Sequence, residues 1–195
     1  DALDLISDTA KRLSSGEMLQ IERSFKRSMS EEIYFRMVKD KTASLIATCC
    51  ELGVITTSKD KYHKIAARDY GEKLGMAFQI KDDLFDILGA TKDTGKDTNA
   101  DVSKNMITLP IIHTMSSSLS TVERRQLRKT LSNGAKRRDV NRLKEIVFEH
   151  GGFDYAKKKL QEFSDQAVSA LSPFPDSPYK RSMIDLCLYN VQRTR

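Results

Sequence analysis

Tryptophan is absent from this 195-residue chain, and all aromatic residues together make up only 7% of it. Basic residues are interleaved with acids, as in Glu123-Arg124-Arg125 and Lys144-Glu145. A net charge of +6 therefore comes without a basic stripe or stacking aromatics, and nucleic acid is not an expected partner. Cysteine is scarce too. Cys49, Cys50 and Cys187 are too few for a disulfide framework, and adjacent Cys49 and Cys50 read as small core residues in a reducing, cytoplasmic compartment. No apolar run approaches the ~18 residues that would suggest a membrane span. A secretory leader is not expected from the opening residues. His63, His113 and His150 stand alone, without Cys or His at ligand spacing, so zinc is not expected. A Gly-x-Ser-x-Gly elbow, a Walker loop and a dinucleotide fingerprint are all missing.

What is present is 39% hydrophobic and 31% charged, the balance of a globular domain. We expect residues 1–195 to form one all-α domain, an antiparallel helical bundle. Leu3, Ile6, Ala10 and Leu13 recur at helical steps, Gly16 breaks the pattern, and Met18, Leu19 and Ile21 resume it. Helical periodicity begins at Asp1 with no cap, so the chain is expected to be incomplete at its N-terminus. Ser28 followed by Glu31 predicts a helix start, running towards Gly53. A second long helix is expected from about Asp60 to Gly89, followed by a polar loop from Gly89 to Asn99. That loop is long for a helix connection, which favours a functional role. Thr108-Leu109-Pro110 opens another helix, Ser120 and Glu123 form a capping box, and Asp139 starts a helix that stops at Gly151-Gly152. Ala156, Leu160, Phe163, Ala167 and Leu171 keep helical spacing, and Ser177-Pro178 opens the last helix.

Chemistry concentrates in the helix before the long loop. At 100° per residue, Gln79, Asp82, Asp83 and Asp86 fall within about 100° of arc. Leu74, Ala77, Phe78, Ile80, Leu84, Phe85, Ile87 and Leu88 occupy nearly everything else, so the helix should be buried on most sides. Crowded carboxylates repel, and either protonation or a divalent cation relieves them. Magnesium suits oxygen ligands completed by water and substrate phosphate. An ordinary solvated acidic face is the plainer alternative.

Asp82-Asp83-Leu84-Phe85-Asp86, preceded by Gly75-x-x-Phe78-Gln79, resembles the second aspartate-rich motif of trans-type polyprenyl diphosphate synthases. Gly16-Glu17-Met18-Leu19-Gln20, Lys41-Thr42-Ala43, Gly95-Lys96 and Thr108-Leu109-Pro110 resemble that family's further motifs, in the same order. The tail from Pro175 to Arg193 is similar to the end of long-chain members.

The resemblance implies the isoprenoid synthase fold and a prenyltransferase. Such an enzyme joins isopentenyl diphosphate to an allylic prenyl diphosphate and releases diphosphate. It implies magnesium held by Asp82, Asp83 and Asp86, and an allylic diphosphate bound by Lys41, Thr42, Gln79 and Lys96. Lys41, Asp82 and Lys96 would be the catalytic residues, in a homodimer making long chains for quinones. Taken alone, Lys41 reads first as a lysine snorkelling out of a helix with Met37, Leu45 and Ile46 in the core, and Lys96 equally as a solvated loop residue. The first aspartate motif and the isopentenyl diphosphate site of the family have no counterpart here, so this segment is not expected to catalyse alone. Asn105 and Met106 stand where the family often has Gly-Lys, which removes a cation unless Lys104 or Lys96 replaces it. The alternatives are a regulatory subunit of a heteromeric synthase and a terpene cyclase on the same fold.

Overall fold

A computed structural model describes residues 2–26, 29–89, 107–131 and 137–194. Every regular element among them is helical. In order these are α1 (Ala2–Lys26), α2 (Glu31–Val38), a π-helical turn (Lys39–Ala43), α3 (Ser44–Ile55), α4 (Lys61–Gly89), α5 (Leu109–Ser116), α6 (Thr121–Thr130), α7 (Arg137–Glu149), α8 (Gly152–Ala170) and α9 (Pro178–Gln192). No described helix is long and apolar enough to cross a membrane. The helices gather into two compact units, one of residues 1–20, 35–81 and 159–195, the other of 21–34 and 82–158.

The first unit is built on Tyr70, Leu74, Ala167, Leu171 and Cys187, with Ile46, Cys50, Phe174, Met183 and Ile184 packed around them. Fully burying a leucine such as Leu74 or Leu171 contributes about 1.5–3 kcal/mol. Tyr70 shows why a phenol can join such a core, because its hydroxyl donates to Met183 O at 2.9 Å. Helix α9 starts as predicted, with Ser177 Oγ accepting from Lys180 N and Pro178 in the first turn.

The apolar stripe of α1 does not face this core. Leu3 is 75% exposed, Ile6 50% and Met18 71%, whereas Thr9 and Gly16 are buried. Helix α1 docks instead through small and polar groups three and four residues apart. Thr9 and Thr48 share a hydrogen bond of 2.6 Å, and Arg12 pairs with Asp40 at 2.8 Å. Gly16 follows on the same face, and the helix runs straight through it. A Cβ there would sit 2.5 Å from Lys41 N. Close backbone approach explains this glycine, not a break in the helix.

Other starts and stops differ in detail. Ser28 lies outside the described residues, and the cap of α2 is Ser30, whose Oγ accepts from Ile33 N. The expected helix to Gly53 is shifted and interrupted, since α2 starts at Glu31 and leads through the π turn into α3, which ends at Ile55. Two expected core residues face outward: Cys49 is exposed and Leu45 is 49% exposed.

The second unit packs α7 against α5 and α6. Leu109, Ile111, Leu127, Leu143, Ile146 and Val147 are almost fully buried. Ser120 and Glu123 form the predicted capping box. Gly151, at φ 70°, turns the chain from α7 into α8 in the left-handed region that glycine tolerates.

Candidate functional site

Helix α4 carries the acidic strip without interruption from Gln79 to Asp86. Asp60 starts the helix by accepting from Tyr62 N at 2.7 Å. Downstream its apolar residues bury as expected, with Ala77, Ile80, Leu84 and Ile87 all below 5% exposure, although Phe78 and Leu88 reach the surface.

The three aspartates are not equivalent. Asp83 is only 6% exposed, and Tyr34, 1% exposed, donates its hydroxyl to Asp83 Oδ2 at 2.7 Å. Burial, and then the Asp83 charge, push the Tyr34 phenol well above its ordinary value, so it remains a donor. Asp82 is half-buried and Asp86 reaches solvent. Partial burial, then the Asp82 charge one turn away, raises the Asp86 carboxyl. The sequence reading missed Tyr34. Its one signal is a hydroxyl amid apolar neighbours, which burial obliges to find an acceptor.

In the first unit, Lys41 and Thr42 sit inside the π turn Lys39–Ala43. Such wide turns are rare and recur at functional sites. Lys41 Nζ pairs with Glu17 Oε2 at 2.8 Å and donates to Gln20 Oε1. It is therefore held by α1, and it is not simply snorkelling. Glu17 and Gln20, left off the predicted site, are the residues that grip its ammonium. Thr42 Oγ1 donates to Gln79 Oε1 at 2.9 Å, so two predicted ligands from different helices meet directly.

The backbone around this turn is seated on glycines. A Cβ at Gly75 would fall 2.6 Å from Ala43 Cα, and one at Gly71 would fall 2.7 Å from Ala47 Cα. With Gly16 against Lys41, three glycines flank the stretch from Lys41 to Ala47. Gly95, Lys96, Lys104, Asn105 and Met106 lie outside the described residues.

Among the described residues no three His, Cys, Asp or Glu side chains converge on a point where a metal could sit. Magnesium does not need such a cage, since one or two carboxylates plus water and phosphate oxygens complete its shell. Asp82 and Asp86 form such a pair of hard oxygen donors, and their mutual repulsion is what a cation would relieve.

A helical chain with a carboxylate strip, a π turn presenting Lys-Thr and close-packed glycines belongs to the all-α isoprenoid synthase class. Its resemblance to solved structures bears this out. A decaprenyl diphosphate synthase from Rhodobacter capsulatus superposes with a TM-score of 0.88 at 28% identity, over 100% of this chain and 60% of that one. A polyprenyl synthase from Caulobacter crescentus, complexed with calcium and isoprenyl diphosphate, gives 0.86 at 29% identity, over 100% and 59%. The Polyprenyl synthetase family model matches residues 1–148, and the chain belongs to that family. Octaprenyl diphosphate synthase of Haemophilus influenzae is 30% identical over 191 residues, 98% of this chain and 58% of the relative. The chain thus spans about three-fifths of the length of the relatives it matches.

Proposed function

We propose that this chain supplies the allylic-diphosphate half of a trans-polyprenyl diphosphate synthase that makes long-chain products. The observation that carries the reading is the Asp82–Asp86 pair, two mutually repelling carboxylates on α4, in a member of the polyprenyl synthetase family. In the reaction, the bond between C1 of the allylic substrate and its diphosphate oxygen breaks, and the electron pair leaves with the diphosphate. The double bond of isopentenyl diphosphate attacks C1, and loss of a proton restores neutrality. Charge builds on the departing diphosphate, so positioned cations there lower the barrier.

Asp82 and Asp86 would hold magnesium, with Asp83 behind them. Magnesium, when bound, neutralises the diphosphate and favours its departure. Lys41 exchanges its Glu17 carboxylate for a phosphate oxygen. Thr42 and Gln79, already bonded to each other, orient the same group by hydrogen bonds. Lys96, outside the described residues, would add a further cation. A homodimer and a cytoplasmic location belong to the same proposal. The named relatives support the long product, since they include octaprenyl and decaprenyl diphosphate synthases.

The test is an assay of the complete polypeptide with labelled isopentenyl diphosphate and allylic primers of several lengths. Products are separated by chromatography. Linear long-chain diphosphates are expected; cyclic products, or no turnover without a second polypeptide, would contradict the reading. Asp82→Ala is expected to cut turnover at least ~100-fold, as loss of a transition-state charge contact does.

A further inference from the structure

The pattern of three aspartates suggests three equal ligands, but the structure divides them. Asp83 points away from solvent into the second unit, where Tyr34 closes over it with a 2.7 Å hydrogen bond. A carboxylate this deeply buried is stable only when its oxygens are satisfied, and a phenol is a strong donor for one of them. Asp82 and Asp86 remain more accessible, one helical turn apart.

Resting on the function proposed above, we infer that Tyr34 is a positioning residue. Its hydroxyl pins Asp83 inside the fold, so that Asp83 anchors the acidic turn of α4 and only Asp82 and Asp86 face the divalent cation. The arrangement has a physical benefit. A third accessible carboxylate beside Asp82 and Asp86 would add repulsion to the strip, and a mobile one would compete for coordination positions that the diphosphate must fill. Anchoring also fixes the rotation of the helix about its axis. A buried hydrogen bond at Asp83 leaves Asp82 and Asp86 on one side, because neighbouring residues are 100° apart. Tyr34 thus stands behind the metal ligands as outer-shell partners do elsewhere, where their loss costs 10–100-fold in metal affinity or activity.

The complete polypeptide can be titrated with Mn2+ in the presence of inorganic pyrophosphate, following the ion by electron paramagnetic resonance. Asp82→Asn and Asp86→Asn are expected to weaken Mn2+ at least ~10-fold. Asp83→Asn, which keeps an oxygen for the Tyr34 hydroxyl, is expected to stay within about 3-fold of the parent. Tyr34→Phe removes that hydrogen bond from Asp83 and is expected to weaken Mn2+ about 10-fold. Tyr34→Phe/Asp83→Asn should recover most of that loss, because a neutral amide neither repels its neighbours nor competes for the ion. A purely structural tyrosine would instead lower the melting temperature while leaving Mn2+ affinity alone, and the double variant would show no recovery. That result overturns the inference, as does an Asp83→Asn loss equal to that of Asp82→Asn. If Asp82→Asn and Asp86→Asn leave Mn2+ unmoved, the proposed metal site itself fails, and the inference falls with it.

Discussion

Lys41 Nζ lies 2.8 Å from Glu17 Oε2, an ion pair that joins the π turn to α1. Both side chains retain substantial solvent contact, so the pair contributes little to stability, on the order of 0–1 kcal/mol. Its role is better tested through anion binding. Glu17→Gln should shift the melting temperature by no more than about 2 °C and strengthen binding of inorganic pyrophosphate a few-fold, because Lys41 no longer has to leave a carboxylate. Lys41→Ala should weaken it about 10-fold or more. Calorimetric titration of the two variants decides the matter; unchanged binding in both would remove Lys41 from the site.

Two glycines should respond to alanine with opposite sign. Gly53 is a helical glycine of α3 with open space where a Cβ would go, so Gly53→Ala should stabilise by up to about 1 kcal/mol through helix propensity. Gly16→Ala brings the same propensity gain, but its Cβ would meet backbone atoms of Lys41 at 2.5 and 2.8 Å. Overpacking of that kind costs about 1–3 kcal/mol. Thermal melts should therefore rise for Gly53→Ala and fall for Gly16→Ala.

That contrast shows what was legible in the sequence. Caps were legible because they are local: Asp60, Ser120 with Glu123, and Ser177 all begin their helices as read. The all-helical fold and the acidic face of α4 were legible from periodicity alone. Gly16 was not, because its cause lies 25 residues away in the backbone of Lys41. The docking face of α1 was not legible either, for a related reason. Hydrophobic periodicity selects Leu3 and Ile6, whereas Thr9, Arg12 and Gly16 make the close contacts. The burial of Asp83 likewise depends on Tyr34, 49 positions earlier.

Acid should loosen the start of α6. Hydrogen bonds from the Ser120 hydroxyl, His150 and the Ser120 backbone, in that order with burial opposing, lower Glu123 to about 2. An unfolded Glu titrates near ~4.3. The lowered value means that Glu123 supports the folded state fully above that pH and progressively loses this contribution as pH falls towards 2. Glu123→Gln should thus melt below the parent at pH 6, with the gap closing in acid. A gap that is constant between pH 6 and pH 2 would show that the carboxylate charge is not involved.

The three thiols should react in a fixed order. Cys49 is exposed. Burial, then the neighbouring Cys49 sulfur, pushes the Cys50 thiol up to about 11, and burial also raises buried Cys187. Iodoacetamide at neutral pH should label Cys49 first, since the thiolate is the reactive form. Peptide mass spectrometry over a time course reads the order directly.

Seating Lys41 to Ala47 against three bare α-carbons has a consequence for the anion-binding role proposed for Lys41. Where main chains touch, the spacing is set by van der Waals radii, and no rotamer change can absorb an error of an ångström. The stem of Lys41 therefore enters from an almost immovable base, and adjustment to a differently shaped anion is left to its four methylenes and to the side chains of Glu17 and Gln20. If Lys41 holds the diphosphate as proposed, its grip on the charged head should be insensitive to the length of the tail.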